Sequence, residues 1–329
     1  MTRSPINASL IAVTIVTLLN ITLAKAQTPT LHNVDDILMA SEAQHTDLID
    51  GTQKHVDWFA NVSEKTDISI VYLHGFSASH KELSPMTETL AKQLGANAYY
   101  SRLTGHGRSD DALAEGTMAA WKADAQQAYE IGTLIGEKVI LIGTSTGGTL
   151  TTWLSAQHFV DPSKVMANIL ISPNFAINSG SAWVLKSSLG MWFTKLIAGD
   201  YRGFEPQNEF HATYWTERYP MEALQPMLYL LDDIDDLDKS SISIPQLMIY
   251  SPTDSVIDVE KALETVSEMT SASVNIQPFT TSTDPSQHVL VGKGSRATGD
   301  YQEQVNKMLT LITTYIQGLK NNSHSTKRL

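Results

Sequence analysis

The sequence predicts an α/β fold: a mostly parallel central sheet with helices on both faces. Two features predict it. Apolar runs of strand length, such as Ile68-Ser69-Ile70-Val71-Tyr72-Leu73, recur along the chain, and stretches with apolar residues at helical spacing separate them.

Thr28 to Gln44 has no clear period and reads as an N-terminal arm or short helix. His55-Val56-Asp57-Trp58-Phe59-Ala60 alternates as an early strand, and the Ile68 run reads as a central one. Glu82 to Leu94 carries Leu83, Met86, Leu90, Ala91 and Leu94 at helical spacing, and Ala96 to Leu103 returns to strand character. A helix over Met118 to Ile135, a strand Lys138 to Ile142, a helix from Thr146 to about Phe159 and a strand Val165 to Ile171 continue the pattern. Between Pro173 and Ser240 the alternation breaks. That stretch is mostly helical in character and rich in large apolar residues, including Trp183, Met191, Trp192, Phe193, Phe210 and Trp215. It reads as a helical cap of approximately residues 174–240, inserted after the sixth strand within one domain rather than forming a second. Gln246 to Tyr250 resumes the sheet, Val259 to Met269 is helical, Ser273 to Phe279 is a strand and Tyr301 to Ile316 a final helix. Asn321 to Leu329 reads as a frayed terminus.

With 329 residues, 42% hydrophobic and 18% charged, the chain can bury a sizeable core. Lys+Arg 23 against Asp+Glu 35 leave a formal net charge of -12, which argues against nucleic acid as a partner and gives no attraction to anionic lipid headgroups. The absence of cysteine excludes disulfides, a thiolate nucleophile and a Cys-ligated zinc site. Arg3, the apolar run Leu10 to Leu23 and Ala24-Lys25-Ala26 before Gln27 have the order of a secretory signal peptide over residues 1–26. The mature chain 27–329 is then exported, periplasmic or secreted, with no stable membrane insertion; an uncleaved anchor is the alternative. Asp232, Asp233, Asp235, Asp236 and Asp238 lack the glycine and spacing of a calcium loop and read as a solvated helix end, so no metal is expected.

The chemistry concentrates at a few places. The strand ending at Ile142 runs into Gly143-Thr144-Ser145-Thr146-Gly147-Gly148, and a helix follows at once. This is G-x-S-x-G between strand and helix, a sharp turn that presents Ser145 as a nucleophile and aims the Thr146 N–H and the helix start at the reacting centre. His74-Gly75-Phe76, at the end of the Ile68 strand, is placed to supply the second oxyanion donor, the Phe76 N–H, with His74 structural. An acid is expected after a later strand, and Asp254 in Tyr250-Ser251-Pro252-Thr253-Asp254 fits. Asp258 competes with it but sits where the next helix begins. The base is expected after the acid, and His288 takes that place; His106 is the alternative but precedes Ser145.

With Leu73-His74-Gly75-Phe76, Leu103-Thr104-Gly105-His106-Gly107, the Ser145 turn, Asp254 and His288-Val289-Leu290 in order, the chain resembles α/β-hydrolases of the monoacylglycerol lipase and carboxylesterase type over roughly Ile68 to Ile316. The resemblance implies a Ser145–Asp254–His288 triad, attack on a carboxylic ester through an acyl-enzyme, a cap over an acyl pocket and no cofactor. A small-molecule or lipid ester is then the substrate. That family commonly has His before and Met after its serine, where Thr144 and Thr146 stand here. Trp183, Trp192, Phe193 and Trp215 of the cap are candidates for the acyl site. The same triad also serves lactones, thioesters, amides and carbon–carbon bonds. A non-catalytic binding protein on this fold predicts a broken triad or oxyanion loop, and neither is visible in the sequence.

Overall fold

The computed structural model describes residues 28–179, 182–281, 284–294 and 301–326. The expected signal segment lies outside them. In chain order the sheet-forming half runs α1 (Val34–Glu42), β1 (His55–Asp57), β2 (Thr66–Leu73), α2 (Met86–Leu94), β3 (Asn97–Tyr100), α3 (Met118–Ile135), β4 (Gly136–Thr144), α4 (Thr146–Ser155) and β5 (Val165–Ile171). After an insertion come β8 (Gln246–Tyr250), α8 (Val259–Ser267), β9 (Val274–Pro278) and α9 (Tyr301–Thr326). Among the described residues, seven strands form one sheet in the order β1-β3-β2-β4-β5-β8-β9. All neighbours are parallel except β1, which is antiparallel to β3.

The strands are apolar throughout because helices cover both faces. Along β2, Ile68, Ile70 and Tyr72 enter one core with Leu90 of α2 and Met308 and Ile312 of α9. The alternate residues Val71 and Leu73 enter the other core with Trp121 and Ala125 of α3 and Leu150 of α4. α3 begins where Thr117 accepts the Ala120 N–H at 3.0 Å, satisfying one donor that a helix start leaves unpaired.

The insertion holds α5 (Ser188–Ala198), β6 (Tyr201–Gly203), α6 (Glu209–Tyr214), β7 (Arg218–Pro220) and α7 (Leu224–Asp235). It is not purely helical, since β6 and β7 pair as a short antiparallel ladder. α7 anchors it: Met227, Leu228, Leu230 and Leu231 share the core that contains Leu150 and Leu154 of α4. In chain order it follows the fifth described strand, not the sixth, because a single strand, β1, precedes β2 among the described residues.

Other boundaries differ for local reasons. β1 stops at Asp57, and the Phe59 N–H turns to the Asn97 side chain at 2.9 Å instead of continuing a ladder. The expected helix from Glu82 divides into a 3-10 turn, His80–Leu83, and α2, with Pro85 between them, a residue that has no N–H to give a continuous helix. α9 continues past Ile316 to Thr326, so part of the expected frayed terminus is helical; once the inner face is docked, each further residue adds one backbone bond. The acidic cluster is tied down by lysines: Asp233 pairs with Lys122 at 2.7 Å, Asp235 with Lys261 at 3.0 Å, and Asp232 with Lys186. Among the described residues no acidic or histidine group is placed to hold a metal ion, and no helix is long and apolar enough to cross a membrane.

Candidate active site

Ser145 stands between β4 and α4 with φ 51° and ψ -118°, a strained conformation for a residue with a side chain. Its backbone is held from both sides, donating from N–H to the Ile171 carbonyl at 3.0 Å and accepting the Asn174 N–H at 3.1 Å. The glycines of the motif have a measurable reason. A Cβ at Gly147 would fall 1.9 Å from the Leu73 carbonyl oxygen, and one at Gly143 would fall 2.4 Å from the Gly147 carbonyl oxygen. Ser145 is therefore presented at the carboxyl end of the parallel strands, the end where open α/β sheets place their ligands.

The loop after β2 lies beside it. A Cβ built on Gly75 would be 3.3 Å from Ser145 Cβ. His74 is fully buried and joins this loop to the next: the Leu103 N–H donates to Nε2 at 3.1 Å, which leaves Nδ1–H to donate to the Gly75 carbonyl at 2.9 Å. Burial pushes its pKa down to about 4 and keeps it neutral. Among the described residues no acceptor takes the backbone N–H of Phe76 or Thr146, the two expected oxyanion donors. The Phe76 ring packs edge-on against His106, Trp121 and Tyr219. His106, the alternative base, is buried between His74 and Trp121, and its Nδ1 lies 3.3 Å from the Thr104 carbonyl oxygen; among the described residues no hydrogen bond joins it to Ser145 or Asp254.

Asp254 and His288 are brought together. Asp254 follows β8, and its Oδ2 lies 2.8 Å from His288 Nδ1. Its other oxygen accepts the N–H groups of Val256 at 2.8 Å and Ile257 at 3.3 Å, so the carboxylate is fixed before it meets the ring. Asp258 instead caps α8, accepting the Lys261 N–H at 3.0 Å. Burial works against a charged His288, but the hydrogen bond and charge of Asp254 and the charges of Glu82 and Asp284 outweigh it, and the pKa rises above the ordinary histidine value. Among the described residues no hydrogen bond joins Ser145 to His288.

Two residues passed over in the sequence matter here. Asp284 Oδ2 accepts the N–H groups of His288 and Val289, and Glu82, buried behind Gly75, accepts the Gly75 N–H at 3.0 Å. The only sequence-level hint was acidity in otherwise loop-like or apolar surroundings. The insertion reaches both sides of the centre. The Thr216 N–H donates to the Ser77 carbonyl at 2.7 Å, and Gln207 Nε2 donates to Asp284 Oδ1 at 3.3 Å. Ser145 and His288 are left only 7% and 9% exposed. Of the four cap aromatics, Trp215 is buried near Gly294, whereas Trp183, Trp192 and Phe193 are exposed.

This architecture, with the strained Ser145 turn after β4 and the Asp254–His288 pair in the loops after β8 and β9, is the α/β-hydrolase fold. Residues 68–209 match the family described by that fold. The chain is similar to a thermostable monoacylglycerol lipase from Bacillus sp. (strain H-257), 28% identical over 96 residues, which cover 29% of this chain and 38% of that relative. In three dimensions it resembles a metagenome-derived lipolytic enzyme of the LipS and LipT study (TM-score 0.62, 19% identity, 81% of this chain and 99% of that one). It also resembles the monoacylglycerol lipase of Paleococcus ferrophilus (TM-score 0.56, 14% identity, 81% and 98%) and a soluble variant of the monoglyceride lipase of Saccharomyces cerevisiae (TM-score 0.55, 11% identity, 82% and 94%).

Proposed function

We propose that this chain is a serine hydrolase of carboxylic esters, acting through Ser145, His288 and Asp254 with no cofactor or metal. The observation that carries this reading is the 2.8 Å Asp254–His288 contact at the end of the sheet that presents Ser145 on its strained turn. His288 takes the Ser145 proton as Oγ attacks the ester carbonyl carbon. The oxygen that becomes negative is received by the N–H groups of Phe76 and Thr146, each such donor being worth ~100- to 1000-fold in rate. His288 then passes the proton to the departing alkoxide, which leaves as the alcohol. A water that gives its proton to His288 attacks the acyl-enzyme carbonyl, and the carboxylic acid departs as Ser145 regains its proton.

The substrate class is a lipid ester such as a monoacylglycerol. Similarity to the Bacillus monoacylglycerol lipase supports this, as does the apolar character of the insertion. Residues 174–240 act as the cap over the acyl site, within a single domain. Residues 1–26 direct export and are removed, leaving a periplasmic or secreted enzyme; a mature N-terminus at Gln27 tests this, and a retained segment would indicate a membrane anchor.

The function itself is tested with p-nitrophenyl esters of graded chain length, and monoacylglycerols as a second panel, on the wild type and Ser145→Ala. Hydrolysis that disappears in the variant supports the reading. Equal rates in the two proteins remove Ser145 from the mechanism. Activity confined to amides or lactones reassigns the substrate.

A further inference from the structure

A glutamate in a protein interior is costly unless its charge is met by donors. Glu82 lies in the 3-10 turn His80–Leu83 and is 3% exposed, yet among the described residues no Lys or Arg pairs with it. Its Oε2 accepts the Tyr72 hydroxyl at 2.7 Å and the Gly75 N–H at 3.0 Å. Two donors converging on one oxygen are what an ionised, acceptor-only carboxylate needs. The Tyr72 and Thr144 hydroxyls hydrogen-bond each other at 3.1 Å, so the network continues to the residue before Ser145.

The other carboxylate oxygen lies beside Gly75. A Cβ on Gly75 would stand 2.8 Å from Glu82 Oε1 and 3.3 Å from Ser145 Cβ, so the carboxylate and the serine flank the same point. On the far side, a Cβ on Gly292 would fall 2.2 Å from the Glu82 carbonyl oxygen, so the loop that carries His288 leans on the Glu82 backbone. Glu82 thus adjoins the three segments assigned to the nucleophile, the oxyanion donor and the base.

We propose that Glu82 is a positioning residue of the catalytic centre, its carboxylate fixing the Gly75–Phe76 loop while its negative charge supports the His288 imidazolium formed during turnover. The inference rests on the hydrolase reading above. The charged groups facing His288 are Asp254, Glu82 and Asp284, and each favours its protonated form against burial. Burial is the largest influence on Glu82 and holds its pKa above the usual carboxylate value, while the Tyr72 and Gly75 hydrogen bonds and the charge of His288 offset part of that rise.

The experiment is the pH profile of kcat/KM, with kcat and KM separately, for a short soluble ester, on the wild type, Glu82→Gln, Tyr72→Phe and Ser145→Ala. Glu82→Gln retains the side-chain shape and loses the charge. kcat is expected to fall roughly tenfold or more with KM changed less than about threefold, since the lost interaction belongs to the transition state. The acidic limb is expected to move to lower pH, because removing the negative charge lowers the His288 pKa. A lower kcat with the acidic limb at its wild-type position would reduce Glu82 to a packing role and overturn the proposal, as would wild-type kinetics. If Glu82→Gln does not fold, Tyr72→Phe decides: it strips one donor from Oε2, and a kcat lowered about threefold or more at unchanged KM supports the proposal, whereas wild-type kcat overturns it. Ser145→Ala separates the two levels, since activity surviving in that variant removes the hydrolase reading itself, independently of Glu82.

Discussion

Asp284 accepts the backbone N–H of His288 at 2.9 Å, so one acid orients the backbone of the histidine while another, Asp254, orients its ring. The same carboxylate accepts the N–H of Val289 at 2.8 Å and of Ser286 at 3.0 Å. Burial opposes its ionisation, but these bonds and the Ser286 hydroxyl outweigh that and hold its pKa below the usual carboxylate range. Asp284→Ala leaves three backbone donors without this acceptor, and a loss of about 1–3 kcal/mol is expected in urea unfolding. kcat falls with it, by about tenfold or more, because His288 loses its anchor. An alanine variant with wild-type stability and kcat would show that the loop holds itself.

Much of this arrangement is legible in the sequence where a single element decides the outcome. Met118–Ile135, Val165–Ile171 and Gln246–Tyr250 have the expected bounds because their periodicity and apolar content are local. The Ser145 turn is legible because its glycines answer to backbone clashes within and beside the motif. Glu82 was unreadable because its partners Tyr72 and Gly75 meet it only after β2 and the following turn fold back on each other. Trp192 and Phe193 read as pocket residues by composition, since nothing in the sequence tells which face of α5 turns outward.

Buried histidines make stability depend on pH. Burial lowers the pKa of His74, His80 and His106, so between the unfolded and folded values the unfolded chain binds protons that the native chain does not, and stability falls as pH falls. His288, whose pKa is raised, acts in the opposite direction, contributing stability at low pH that is lost as pH rises through its folded pKa. His80→Phe removes one contributor while retaining a ring beside Tyr100. From about pH 7 to about pH 5, the variant should lose roughly 1–2 kcal/mol less than the wild type in urea titrations. Parallel losses would mean that His80 is protonated in the native state.

Gly318 lies inside α9, and a Cβ there meets nothing within 4 Å. Gly318→Ala is expected to raise stability by about 1 kcal/mol, the helix-propensity difference alone. A thermal unfolding midpoint that rises with activity unchanged would agree; a lower midpoint would mean that α9 is packed or bent differently there.

The outer side of α5 carries Leu189, Trp192, Phe193, Leu196 and Ile197, spaced at i, i+3, i+4, i+7 and i+8, and all are exposed. If the substrate is the proposed lipid ester, an outward apolar stripe on this helix is suited to contact with a lipid assembly. Trp192→Ser with Ile197→Ser should lower turnover of emulsified long-chain monoacylglycerol several-fold and leave hydrolysis of a soluble short-chain ester within about twofold. An equal fall on both substrates would mean that the substitutions disturb the insertion rather than contact with lipid.

The most direct test of the central claim is covalent labelling with a fluorophosphonate, followed by mass spectrometry of the peptide containing Ser145. The account predicts one adduct, on Ser145, absent in Ser145→Ala and formed far more slowly in His288→Ala, because an activated serine needs its base. Labelling at another residue, or at equal rates with and without His288, would contradict it.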